Sequence, residues 1–95
     1  MIATSPKISL IQTQKILGEL ISFPVLGGES NHSIAEWIEN YLTEYDVQFY
    51  NVPNEEGNKR SIHCRIGPAV DGGVVLSGHT DVVPVAGQDW HSEPF

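Results

Sequence analysis

Apolar positions change their spacing about halfway along the chain. Leu10, Ile11, Thr13, Ile16, Leu17, Leu20 and Ile21 recur at helical spacing and predict a first helix from about Ser9 to Ser22. Phe23-Pro24 should end it, because the residue before a proline is pushed out of the helical region. Gly27-Gly28 continues the loop. Ile34, Trp37, Ile38, Tyr41, Leu42 and Tyr45 then mark one face of a second, more regular helix starting near Asn31. Ser33 with Glu36 fits a capping box, and Asn31 or Ser30 are the other candidate caps. The aromatic residues at this spacing read as core rather than as a stacking platform.

From Asp46 the period falls to two. Val47 to Val52 reads as a strand, Pro53 to Arg60 as a polar loop, and Ser61 to Ile66 as a second alternating strand. In that strand Ile62, Cys64 and Ile66 share one face, which predicts a buried, inert Cys64 thiol. Gly67 to Gly73 is a turn. Val74, Val75 and Leu76 follow without alternation, as expected of a strand covered on both faces. Two helices, two alternating strands and one buried strand predict a layered α/β fold with a sheet of mixed direction. After Pro84 the chain looks irregular.

Composition narrows the classes of function. A chain of 95 residues suffices for one small domain with a marginal core. The net charge of -7, from twelve acidic and five basic residues, argues against nucleic acid or an anionic membrane as partner, since both call for basic patches. The single cysteine excludes an internal disulfide and a Cys-rich zinc finger, and fits a reducing, cytoplasmic setting. MIATSPKISL has no basic stretch followed by an apolar core, so no secretory signal is expected. No apolar run approaches the ~18 residues of a membrane span.

The chemistry concentrates in Val74 to Pro84, VVLSGHTDVVP. An apolar run breaks at Gly78 and delivers His79 and Asp81. In α/β sheets, ligands bind beyond the carboxyl ends of strands. Neutral imidazole is a common zinc ligand. An Asp two residues on, in extended backbone, points to the same side and can accept a ring N–H, fixing tautomer and orientation. By themselves, Gly78-His79-Thr80-Asp81 read first as a polar turn at a strand end.

A longer stretch decides between these readings. SGHTDVVPVAGQDWHSEPF, Ser77 to Phe95, resembles the first metal-binding segment of the acetylornithine deacetylase, succinyl-diaminopimelate desuccinylase and carboxypeptidase family of zinc amidohydrolases. Gly78, His79, Asp81, Val83, Pro84, Trp90, Pro94 and Phe95 stand at the positions of that pattern. Leu17 to Phe23 and Asn31 to Leu42 resemble the family's first two helices, less specifically. Within the family, LSGHTDVVPV is nearest to the acetylornithine deacetylase branch, and the desuccinylase branch shares His-Thr-Asp-Val-Val-Pro.

The resemblance implies a fold, a site and a reaction. The fold is the N-terminal part of a three-layer α/β/α zinc-exopeptidase-like catalytic domain with a mixed sheet. Residues 1–95 would supply that portion, with the rest of the catalytic domain and the lid and dimerisation domain outside it. His79 is then a metal ligand, and Asp81 belongs to the catalytic machinery as the carboxylate beside it. The cofactor is zinc, two ions per active site, with cobalt as an alternative. The reaction is hydrolysis of N-acetyl-L-ornithine to ornithine and acetate in arginine biosynthesis, on a homodimer acting on a small N-acyl amino acid. Desuccinylase or metallo-carboxypeptidase activity is the alternative. The general base and remaining ligands of the family lie downstream of the matched segment, so the 95 residues alone are expected to be inactive and to bind zinc weakly.

Other candidates read more plainly. Asp89 and His91 belong to a polar loop, His32 and His63 to solvent-facing positions, and Glu55-Glu56 to a solvated turn. A reading of another class also stands: a small non-catalytic α/β interaction module.

Overall fold

The computed structural model describes residues 6–95. Its elements are α1 (Pro6–Ile21), α2 (His32–Glu44), β1 (Phe49–Pro53) and β2 (Arg60–Cys64). The chain divides into two compact units, one of residues up to Pro24 with Pro84–Phe95, the other Val25–Val83.

In the first unit, α1 starts three residues before the predicted boundary. A proline is tolerated there because first-turn N–H groups have no helical partner. The helix ends where Phe23-Pro24 predicts, with Ser22 N–H donating to Gly18 O and Phe23 N–H to Leu20 O. Its apolar stripe is only partly covered: Ile16 and Leu20 are half-buried, whereas Leu10, Ile11, Leu17 and Ile21 are exposed. The Pro84–Phe95 segment is irregular, as expected, and is held by local bonds. Gln88 donates to Pro84 O through Nε2, and Trp90 Nε1–H donates to Gln88 Oε1.

In the second unit, α2 packs on β2, and β1 pairs antiparallel with β2. The register sets Phe49 opposite Cys64, Asn51 opposite Ile62 and Pro53 opposite Arg60. The intervening turn is built by Asn54, whose Oδ1 accepts from Lys59 N–H at 3.0 Å while its N–H donates to Lys59 O at 3.1 Å. The core is small: Val25, Ile34 and Ala35 are the buried apolar residues. Complete burial of an isoleucine such as Ile34 contributes about 2–3 kcal/mol.

The start of α2 differs from the sequence expectation, whereas its end falls just before Asp46, where the period changes. Neither Ser33 nor Asn31 forms a side-chain cap. Asn31 occupies the cap position, but its amide is spent on β2: Nδ2 donates to Arg60 O and Oδ1 accepts from Arg60 N–H, both at 2.9 Å. Ser30 Oγ accepts from His32 N–H. At the other end, Asp46 adopts φ 56°, with Asp46 N–H on Thr43 O and Val47 N–H on Leu42 O. These are the paired closing bonds of a Schellman motif, with aspartate in the left-handed position that glycine usually takes.

Three burial expectations are corrected. Val74–Leu76 is not a strand: no hydrogen-bonded neighbour pairs with it among the described residues, and the three side chains are 87%, 91% and 93% exposed. An apolar run favours the extended state, but a strand also needs a partner backbone. Cys64 is exposed, since among the described residues no element covers its face at the end of β2. The α2 aromatics form a ladder along the helix and not a buried core, with Trp37 and Tyr41 centroids 5.7 Å apart and Tyr41 and Tyr45 4.9 Å apart. Trp37 and Tyr41 are half-buried and Tyr45 is exposed.

Candidate functional site

The segment that carries His79 and Asp81 lies in the second unit, between an apolar run with no backbone partner among the described residues and a single point of pairing. Val82 forms a parallel bridge with Leu26. Its N–H donates to Val25 O at 2.7 Å, and its carbonyl accepts from Gly27 N–H at 3.3 Å. The pair therefore precedes a bridge, whereas the sequence places it just after a buried strand. What the sequence anticipates correctly is proximity. In extended backbone, residues i and i+2 face the same side.

His79 Nδ1 lies 2.9 Å from Asp81 Oδ1 and 3.0 Å from Asp81 O. Both partners are acceptors, so the ring N–H belongs on Nδ1 and the lone pair on Nε2. Among the described residues no hydrogen bond reaches Nε2. The side chains are 84% and 59% exposed, which leaves the pair open to solvent. The chemistry of this arrangement is that of a histidine held in one tautomer by a carboxylate, with its other nitrogen free to bind a metal ion or a proton.

Beside the pair is an open groove of about 550 Å³, lined by Ile34, Ile38, Leu42 and Ile62 and by His79 and Asp81. Its apolar side is the uncovered face of α2 and β2. Among the described residues no group of three His, Cys, Asp or Glu side chains could hold a metal ion. His79 and Asp81 are thus a partial donor set.

The remaining candidates serve other ends. His32 Nε2 bonds to Gly57 O at 2.9 Å and Nδ1 to Arg60 Nη1, so this exposed ring pins the β1–β2 turn to the start of α2. The Arg60 guanidinium also grips Glu39 through Nε at 2.7 Å, and both side chains are largely buried. Glu39 Oε2 in turn accepts from Asn51 Nδ2 at 3.3 Å. His63 is exposed and stacks on Tyr50 across the hairpin. Asp89 and His91 are exposed in their loop. The Val25–Gly27 contact to Val82 was not anticipated. A pairing between residues nearly sixty positions apart leaves no periodic mark in the sequence.

Comparison with known proteins bears on the resemblance carried by Ser77 to Phe95. The chain is 30% identical over 89 residues to the acetylornithine deacetylase of Buchnera aphidicola subsp. Schizaphis graminum (strain Sg). The match covers 85% of this chain and 23% of the relative, so the chain spans about a quarter of that protein's length. The similarity therefore reaches well beyond Ser77 to Phe95. No family model matches the chain, and no solved structure matches it. Among the described residues no helix is long and apolar enough to cross a membrane.

Proposed function

We propose that this chain is the N-terminal portion of the catalytic domain of a zinc-dependent amidohydrolase of the acetylornithine deacetylase type. The observation that carries the reading is the His79–Asp81 pair, with Nδ1–H directed at Asp81 and Nε2 left without a partner among the described residues. The similarity to an acetylornithine deacetylase supports it. In this reading α1, α2 and the hairpin are all elements of a larger three-layer α/β/α domain with a mixed sheet.

The residues present fit zinc as far as they go. His79 would hold the ion through Nε2, because Asp81 keeps the proton on Nδ1 and raises the basicity of the ring. Asp81 acts on the reaction through that ring. Zinc, when bound, supplies a Lewis acid for the amide carbonyl and lowers the pKa of a bound water. Water adds to the carbonyl carbon, the amide C–N bond breaks, and the nitrogen leaves with a proton; N-acetyl-L-ornithine gives ornithine and acetate. A catalytic zinc normally takes three protein ligands, so residues 1–95 alone bind it weakly and do not turn over substrate. The remaining assignments are a cytoplasmic homodimer acting on a small N-acyl amino acid, with neither nucleic acid nor membrane as partner.

The test is hydrolysis by the complete gene product that carries these 95 residues. Turnover of N-acetyl-L-ornithine in preference to N-succinyl-diaminopimelate, abolished by a chelator and restored by zinc or cobalt, is the expected result. Preference for the succinyl substrate would move the protein to the desuccinylase branch. Hydrolysis of neither, with metal supplied, would leave the non-catalytic module.

A further inference from the structure

The His79 and Asp81 side chains are exposed, so packing does not hold them in place. Among the described residues no backbone hydrogen bond ties residues 71–81 to any other element. The first anchor after β2 is Val82, and both of its backbone bonds go to the segment that follows α1. We propose that Val25–Gly27 is the positioning element of the His79–Asp81 pair, with the Gly27 N–H as its adjustable contact. The inference rests on the reading of His79 and Asp81 as ligand and orienting carboxylate, and adds what sets their geometry.

Val25 makes a firm base, because its side chain is 4% exposed and its carbonyl accepts the shorter bond, from Val82 N–H. Leu26 to Glu29 then closes a turn, with Glu29 N–H on Leu26 O at 3.1 Å and Gly28 at φ 89°. Positive φ at the third residue of such a turn marks type II, which favours proline at the second. The second residue is Gly27. It does two things at once: its N–H holds Val82 O, and its lack of a side chain leaves space beside Asp81. A Cβ built there would lie 3.7 Å from Asp81 Oδ2, an ordinary contact. Alanine therefore fits and a branched side chain would press on the carboxylate. The bridge fixes the backbone one residue after Asp81, and so the direction from which Asp81 accepts the His79 ring proton.

Two variants of the 95-residue chain separate positioning from folding. Gly27→Pro suits the turn but puts the ring Cδ where the N–H was, so the bond to Val82 O is lost and that oxygen is pushed away. Gly27→Ala keeps both the turn and the N–H. The readout is the ¹⁵N spectrum of the His79 ring above its titration range, which reports where the ring proton sits. In the parent chain and in Gly27→Ala the proton is expected on Nδ1. In Gly27→Pro the signals should shift toward an exchange average of both tautomers, with the Arg60 amide unchanged as a marker of the intact hairpin. An unaltered His79 spectrum in Gly27→Pro would overturn the proposal. If that variant unfolds, amide exchange in the parent chain decides: Gly27 and Val82 should exchange together and at least tenfold more slowly than Val75. Exchange of Val82 as fast as Val75 would sink the idea. No metal enters these measurements, so failure of the hydrolysis assay would remove the zinc reading and leave this result standing.

Discussion

Asn31 grips Arg60 by both of its backbone groups, donating to the carbonyl and accepting from the N–H at 2.9 Å each. One planar amide thereby ties the start of α2 to the start of β2, across 29 residues of sequence. The Arg60 side chain reinforces the junction through Glu39 and His32. In a unit with so few buried apolar side chains, this polar junction does much of the orienting.

Replacing Asn31 should therefore be costly for a reason unrelated to helix capping. Asn31→Ala leaves two part-buried backbone groups of Arg60 without partners, and is expected to cost about 1–3 kcal/mol in urea unfolding. Asn31→Ser supplies a good cap residue but cannot reach both groups. Serine at parental stability would mean that the residue works as a cap after all.

Asp46 should be improvable. It sits in the left-handed region, where a Cβ is strained, and it places a negative charge at the negative end of α2. Asp46→Gly relieves both effects and is expected to stabilise by about 1 kcal/mol, allowing for the greater freedom glycine gives the unfolded chain. A thermal melt at or below the parent midpoint would contradict this.

Asp81→Asn separates stability from function. The side chain is exposed, so the change in unfolding free energy should stay within about 0.5 kcal/mol. In the complete gene product the same substitution is expected to reduce metal affinity or turnover by roughly 10–100-fold, the usual effect of losing the partner of a ligating histidine. A variant at parental activity would show that the carboxylate does not orient the ring during catalysis.

Calorimetry of the 95-residue chain with zinc at neutral pH should show weak binding or none. One histidine with an orienting carboxylate falls short of the ligand count of a catalytic site. Submicromolar, stoichiometric binding would require ligands beyond His79 and would return Asp89 and His91 to consideration.

The exposed run Val74–Leu76 should drive self-association of this chain. An exposed apolar run whose N–H and C=O groups have no backbone partner among the described residues is a template for another chain. The net charge of -7 opposes contact, but screening limits its reach to about 8 Å at physiological salt. Sedimentation over a concentration range is expected to show reversible dimers, weakened in Val75→Asp. A monomer at high micromolar concentration would indicate that the run stays solvated.

What the sequence determined by itself is local. The 3.6-residue period of Ile34 to Tyr45 specifies α2, the period of two specifies the hairpin strands, and Phe23-Pro24 stops α1, because each depends on contacts a few residues apart. The closeness of His79 and Asp81 is legible for the same reason, since alternate residues of an extended chain share a side. Tertiary structure decided everything that depends on a distant partner. Asn31 could be recognised as a residue suited to the start of a helix, but not as a clamp on Arg60. The alternation around Cys64 identifies a face without saying whether anything covers it. Val74–Leu76 has the composition of a buried strand and, among the described residues, no neighbour to pair with, and Val82 finds its partner in Val25–Gly27. Side-chain pattern encodes which surfaces seek cover; backbone hydrogen bonding between remote segments carries no such pattern, and only the folded chain reveals it.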